Sequence, residues 1–285
     1  MQSLEFINAN GERITLGNTR PYILSHIDGT GWVSSNIKKT QSPYQDGSTV
    51  VGVQLTDRLI TLTGAVMAST REEMYELRRN ISRILNPKLG EGKLIYTNDA
   101  HSYAASAIPD ESPKFGNRHS NNQLFSASFA CPDPFWRDVK AAERALKYAN
   151  GGMTFPWRLK SWFTLIGYKG IYRNSGDESA PLLIRYYGPA TNPVVSNETT
   201  GEFVKVAYVL SETDVLEINT AFGQKRVEVV AENGDRTNVF HWIDLDSTFF
   251  QLQLGDNLIS YSSDDDSDKD LARVEITWNN RYGGV

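Results

Sequence analysis

Two prolines one residue apart constrain this chain more than any other feature. They sit in Phe129-Ala130-Cys131-Pro132-Asp133-Pro134-Phe135-Trp136. Each fixes its own φ, removes an N–H donor and biases the preceding residue to an extended form, so no strand or helix runs through the pair. Before them, Leu124-Phe125-Ser126-Ala127-Ser128-Phe129 reads as a strand. After them, Phe135 and Trp136 bring a large apolar payload at once. Two readings stay open: a strand that ends in a packed corner, or a stiff, anchored exit into a second domain. The second reading divides the chain into 1–137 and 138–285. A cut there leaves 14 basic and 13 acidic residues before it and 15 and 21 after it, net +1 and −6. Neither balance marks a nucleic-acid surface.

The 285 residues suffice for two ordinary domains. A hydrophobic fraction of 40% and a charged fraction of 22% fit a soluble globular protein. No apolar run has the length of a membrane span. The opening Met1-Gln2-Ser3-Leu4-Glu5 lacks the basic and apolar regions of a secretory signal. Cys131 is the single cysteine, so no internal disulfide forms, which fits assembly in a reducing cytoplasm.

The first domain reads as mainly antiparallel strands around one helix, an α+β arrangement. Leu4–Asn8 and Glu12–Leu16 flank Ala9-Asn10-Gly11, a hairpin signal. Pro21–Ile27 reads as a strand. Asp28-Gly29-Thr30-Gly31 reads as a loop, since no phosphate-loop pattern follows it. Gly31–Ser48 reads as a long loop rich in Ser, Lys, Thr and Gln, a length that suggests binding or disorder. Its Tyr44-Gln45-Asp46-Gly47 is a turn. Val50, Val51, Val53 and Leu55 then form a strand expected to pair with Leu59–Val66. Ser69-Thr70-Arg71-Glu72-Glu73 offers two overlapping capping boxes to a helix with Met74, Leu77, Ile81 and Ile84 or Leu85 as its apolar stripe. Asn86-Pro87 stops it. Its other face carries Arg71, Arg78, Arg79 and Arg83, interleaved with Glu72, Glu73 and Glu76. Lys93–Tyr96 and Tyr103–Ile108 complete the strands of this half.

Val139–Ala149 fits a helix or a long connecting strand. From Phe155-Pro156-Trp157 onward the pattern is β. Strands are expected at 182–187, 203–206, 215–218, 225–229, 249–252, 258–261 and 272–278. Their spacing and turns indicate a β-sandwich of jelly-roll type.

No catalytic or cofactor site emerges. His26, His101, His119 and His241 lack the spacing of a local metal motif, and Cys131 has no thiol partner. Nucleophile-elbow, zinc-protease and Walker motifs are missing. Asp264, Asp266, Asp268 and Glu275 match positions one, three, five and twelve of a calcium loop, but Lys269 occupies the glycine position and no helices flank it. A solvated hairpin loop is the other reading. Trp157, Trp162, Tyr168, Tyr172, Tyr186, Tyr187, Trp242, Tyr261 and Trp278 crowd the second half, as core and edge packing or as rings that stack on sugars.

Cys131-Pro132-Asp133-Pro134-Phe135-Trp136 resembles the domain junction of the distal tail proteins of long-tailed phages or prophages of Gram-positive bacteria. Tyr187-Gly188-Pro189-Ala190-Thr191-Asn192-Pro193 and Asn197-Glu198-Thr199-Thr200-Gly201-Glu202 are similar to that family's second-domain signature. So are Asp246–Leu252, Gly255-Asp256-Asn257-Leu258-Ile259 and Tyr282-Gly283-Gly284-Val285. Tyr44-Gln45-Asp46-Gly47 and the stretch through Arg58-Leu59-Ile60 match its first domain loosely. The resemblance implies a mainly β protein with a ring-forming first domain and a galectin-like or carbohydrate-module-like second domain. It implies a hexameric ring at the virion tail tip, assembled in the host cytoplasm, between the tail tube protein and a hub or fibre protein. A receptor-binding protein or glycan would engage the second domain. The implied role is structural, without enzyme activity, cofactor, metal, nucleic acid or membrane insertion. The alternative is a carbohydrate-binding module for host surface glycans. A glycoside hydrolase would need two carboxylates across a cleft.

Overall fold

The computed structural model describes residues 2–147, 168–265 and 271–285. The chain forms two units: residues 1–139 with 281–285, and residues 140–280. This differs from a single cut at residue 137, because the last five residues return to the first unit.

In the first unit the strands are β1 Ser3–Ile7, β2 Arg13–Leu16, β3 Tyr22–Asp28, β4 Ser35–Thr40, β5 Thr49–Leu55 and β6 Arg58–Met67. Helix α1, Arg71–Ile84, follows, and then β7 Gly92–Thr97, β8 Ser102–His119, β9 Asn122–Cys131 and β10 Trp136–Asp138. The β1–β2 turn places Gly11 at φ 80°, as the Asn-Gly signal requires. A nine-stranded sheet runs β2-β1-β7-β8-β9-β6-β3, with β10 beside β8. A parallel bridge between Gly17 and Ile23 joins its two outermost strands, so the sheet curls back on itself. The core inside it holds Leu4, Phe6, Ile60, Leu62, Phe129, Cys131 and Trp136.

Helix α1 starts where its cap predicts. Thr70 Oγ1 accepts from the Glu73 N–H at 3.2 Å, and Glu73 Oε2 accepts from the Ser69 N–H at 2.7 Å. Of the two capping registers, the one led by Thr70 forms. Met74, Ile81 and Ile84 are buried on the sheet. Asn80 and the Leu77 carbonyl both engage the Tyr22 hydroxyl, which ties α1 to β3.

Two expectations for this unit are corrected. The stretch Gly31–Ser48 is not one loop: it contains β4, which pairs antiparallel with β5. Strand β5 does not pair with β6, because both edges of β6 are taken by β9 and β3. A turn with Tyr44 at φ 64° and Gly47 at φ 79° gives β5 a local partner instead.

The second unit contains β11 Ala142–Lys147, β12 Lys169–Asn174, β13 Leu182–Tyr187, β14 Ala190–Thr191, β15 Val194–Asn197, β16 Glu202–Lys205 and β17 Val209–Leu210. Next come β18 Val215–Asn219, β19 Arg226–Val230, β20 Arg236–Asn238, β21 Gly255–Ser262 and β22 Arg273–Trp278. Strand β23, Arg281–Tyr282, lies in the first unit and pairs with β10. One sheet is ordered β11-β22-β13-β18-β19-β20 and the other β12-β21-β15-β16. One continuous core joins Ile184, Tyr186, Leu216, Ile218, Val274 and Ile276 of the first sheet to Tyr172, Val195, Val204, Ile259 and Tyr261 of the second. This is a sandwich, as the strand spacing predicts.

Of the two readings of 139–149, the strand holds for the described part: β11 pairs with β22 along its length. The expected strand at 249–252 is not one. Leu252 makes a single bridge to Ala180, and the Phe250 N–H turns back to the Thr248 carbonyl. Phe250 and Leu252 still enter the core, which accounts for their apolar pattern. Phe155–Trp157 and Trp162 lie outside the described residues.

Candidate assembly surface and the Arg58 anchor

The β4–β5 hairpin is an arm. Among the described residues it forms its own two-stranded sheet and pairs with no other strand. Register assigns its faces. Ser35 opposes Leu55, Ile37 opposes Val53 and Lys39 opposes Val50, so these six share one face. Asn36, Lys38 and Thr40 with Gln54, Gly52 and Thr49 share the other. The register shifts between Lys38 and Lys39, which leaves Val51 as the extra residue of a bulge. One face is therefore apolar and the other polar. The apolar face is uncovered: Ile37 is 44% exposed, Val50 55% and Val53 59%. Tyr44 at the tip is fully exposed.

The root of the arm is fixed by a buried arginine. Arg58 opens β6 and is only 1% exposed. Its Nε donates to the Pro134 carbonyl at 2.7 Å. One Nη donates to the Gly29 and Gly31 carbonyls, and the other to the Gly283 carbonyl at 2.7 Å. Burial pulls its pKa below the usual guanidinium value, and the Asp133 carboxylate acts the other way. Five N–H donors in a planar fork suit a site that converges several carbonyls. The guanidinium also lies 5.4 Å from the Trp136 ring centroid.

Trp136 is fully buried in the first unit, and its indole N–H donates to the Thr30 carbonyl at 3.2 Å. The packed corner and the chain exit are thus the same residues. Burial alone would raise the Asp133 carboxyl, but Arg137 and Arg281 beside it hold it below the usual range. The Arg281 guanidinium stacks 4.0 Å from the Phe135 centroid. Burial pushes the Cys131 thiol up to about 12, which makes it an inert core residue.

In the second unit, Glu217 is a buried carboxylate of the sheet. Arg185, Arg226 and Arg236 all donate to it, at 3.1, 2.8 and 3.1 Å. Burial would raise its pKa, but these hydrogen bonds bring it down to about 2.

The residues weighed for chemistry lie apart. His26, His101, His119 and His241 are exposed on separate elements. No group of three or more metal-ligating side chains forms among the described residues. Asp264 accepts from the Asn192 amide at 2.8 Å and lies 3.6 Å from Lys205. Glu275 sits within β22, accepting from the Tyr187 hydroxyl at 2.7 Å and pairing with Arg273 at 3.1 Å. Asp266 and Asp268 lie outside the described residues. Tyr172, Tyr186, Tyr261 and Trp278 are core residues. Trp242, 38% exposed, is stacked on Tyr208 at 4.8 Å. No described helix is long and apolar enough to cross a membrane. Arg58 escaped the sequence reading as a site residue. A charge at the start of a strand carries no signal of burial.

The phage tail protein RIFT-related domain model matches residues 9–131, and the siphovirus-type tail component C-terminal domain model matches residues 175–282. No curated protein matches the chain. Among solved structures, the fold is similar to that of the phage SPP1 Dit (gp 19.1) protein, described as a paradigm of the hub adsorption apparatus in phages infecting Gram-positive bacteria. Identity is 14% over 99% of both chains, with a TM-score of 0.68. A chain of the phage P2 baseplate in its activated conformation with calcium is similar at 13% identity over 100% of this chain and 99% of that one, TM-score 0.56. Its strontium counterpart gives 12%, 100%, 99% and 0.54. With one family model on each unit, the chain belongs to the distal tail proteins of siphophages, structural components of the phage tail.

Proposed function

We propose that copies of this protein close into a hexameric ring through their first units, at the tail tip, where the ring joins the tail tube to the adsorption apparatus. The observation that carries this is the β4–β5 arm. An isolated two-stranded hairpin is at best marginally stable in water. Among the described residues, this one has an apolar face with no layer behind it. Ring closure needs a heterologous interface, in which one surface of a subunit meets a different surface of the next. An arm that reaches a neighbour supplies such an interface. The tail tube protein and a hub or fibre protein are the partners proposed above and below the ring, and the second unit is the proposed seat for a receptor-binding protein. The hosts proposed are Gram-positive bacteria, as for the similar SPP1 protein. The role is structural and calls for no catalytic step.

Light scattering and electron microscopy of the full chain test the ring. Six-fold particles are expected. The variant Ile37→Asp/Val53→Asp places charges on the apolar face of the arm and is expected to remain monomeric with its fold intact. A wild-type chain that stays monomeric at high concentration, or a variant that assembles equally well, overturns the proposal.

A further inference from the structure

Residues 281–285 follow the whole second unit in sequence, yet they belong to the first. Trp136 pairs with Tyr282, and Arg137 with Arg281. The Tyr282 hydroxyl donates to Asp138 at 3.1 Å, and its ring meets Tyr103 edge-on at 5.3 Å. Arg281 bonds Asp133 at 3.3 Å and covers Phe135. The Gly283 carbonyl takes one arm of the Arg58 fork. A side chain at Gly283 would run into the Trp32 ring, so glycine lets that ring lie on the backbone. The Val285 N–H donates to the Thr30 carbonyl at 3.1 Å, and its side chain packs against the first unit's core.

We infer that residues 281–285 are a closing clasp, so that the first unit is completed only after the second has been synthesised. Until the clasp is seated, Arg58 lacks one of its four carbonyl partners, and Asp133 lacks one of its two cations. Trp136 has no β-partner from the chain end, and the Gly29–Gly31 loop at the root of the arm has lost the backbone that packs on it. The first unit is therefore open at the corner from which the arm projects. If the ring forms as proposed above, assembly waits for a chain that has both units. That consequence rests on the ring reading; the clasp itself does not.

Amide hydrogen exchange, resolved by mass spectrometry, tests the clasp on the full chain and on a chain ending at Asn280. In the shortened chain, amides of β10, of the Gly29–Gly31 loop and of the start of β6 are expected to exchange at least about tenfold faster, while β13, β18 and β22 keep their protection. A full-length Arg281→Ala/Tyr282→Ala variant keeps chain length and serves if the shortened chain does not fold. The same localised acceleration is expected of it. Unchanged exchange around β10 and Gly29–Gly31 in this variant overturns the clasp. Loss of protection spread equally over both units also overturns it. Light scattering on the same samples separates the two ideas. A wild-type chain that does not assemble counts against the ring, while the exchange result alone decides the clasp.

Discussion

Replacing Arg58 with Met tests whether one buried cation holds the corner of the first unit. Methionine is shorter but close to arginine in volume, so the main loss is of hydrogen bonding rather than volume. Four carbonyls, those of Gly29, Gly31, Pro134 and Gly283, lose their donor. A buried acceptor left unpaired costs about 1–3 kcal/mol. Water reaches some of the four once the corner loosens, so the lower end applies to each, and the sum is about 4 kcal/mol. Part of this is offset, because Arg58 no longer carries a charge into a buried site. A net loss of about 3 kcal/mol would still be a large share of the stability of a single domain. Arg58→Lys keeps the charge but not the planar fork, and should recover only part of the loss. Two units make a single global transition unsafe as a readout, so the measurement is urea-dependent amide exchange in β6 and β10. Arg58→Met is expected to lower opening free energies there and leave the second unit unchanged. A change below about 1 kcal/mol would show that the carbonyls are satisfied by water, and that the fork only fills space.

Trp136→Ala should cost the first unit about 3–5 kcal/mol, as a fully buried Trp does, while Pro132→Ala should change it by about 1 kcal/mol or less; calorimetry of both variants compares them. Thr70→Ala removes the acceptor for the Glu73 N–H and should destabilise α1 by about 1 kcal/mol, read as faster exchange in its first turn. Glu217 has a folded pKa lowered to about 2, against about 4.3 for an unfolded glutamate. Its contribution is complete above the unfolded value and is lost as pH falls toward the folded one. Melting of the second unit should therefore weaken between about pH 4.5 and about pH 2, and Glu217→Gln should flatten that part of the profile; an unaltered acid limb would remove Glu217 from the account.

What was legible in the sequence was what local chemistry decides. The cap at Thr70, the stripe through Met74 and Ile81 and the stop at Asn86-Pro87 all lie within one short segment, and α1 forms where they place it. The alternating strands of the sandwich were equally plain, because burial on one face of a sheet writes a period of two. The arm was not. Strand β4 reads Ser-Asn-Ile-Lys-Lys-Thr, with one apolar residue, and its pairing with β5 is visible only from the partner strand. The short strand Arg281–Tyr282 has too few residues to show any period. Arg58 was illegible for another reason. Its partners come from positions 29, 31, 134 and 283, and only the closed fold brings those carbonyls to one point.

The placement of exposed apolar surface separates the arm from the rest of the molecule. The second unit also exposes large apolar side chains, among them Val209, Phe222, Leu245 and Leu254. Single exposed residues of that kind are ordinary on soluble proteins and imply no partner. They lie on a sandwich whose two sheets already bury a continuous core between them. Among the described residues the arm has no such second layer. Ile37, Val50, Val53 and Leu55 share one face of two strands, and Ile37, Val50 and Val53 stay exposed among the described residues. Its polar face, with Asn36, Lys38, Thr40 and Gln54, can remain in water when the other face is covered. Amphipathic strands with an uncovered apolar face are a liability in a free monomer, which invites edge pairing and aggregation. The same liability becomes an interface when the covering surface belongs to an identical neighbour at a fixed rotation. Anchoring then matters as much as exposure. An arm on a loose root would sample many directions, and much of its binding energy would go into ordering it. Trp32 at the root lies on Gly283, and the Gly29–Gly31 loop is held by Arg58 and by the Trp136 N–H. The buried corner of the first unit thus sets the direction in which the apolar face is presented.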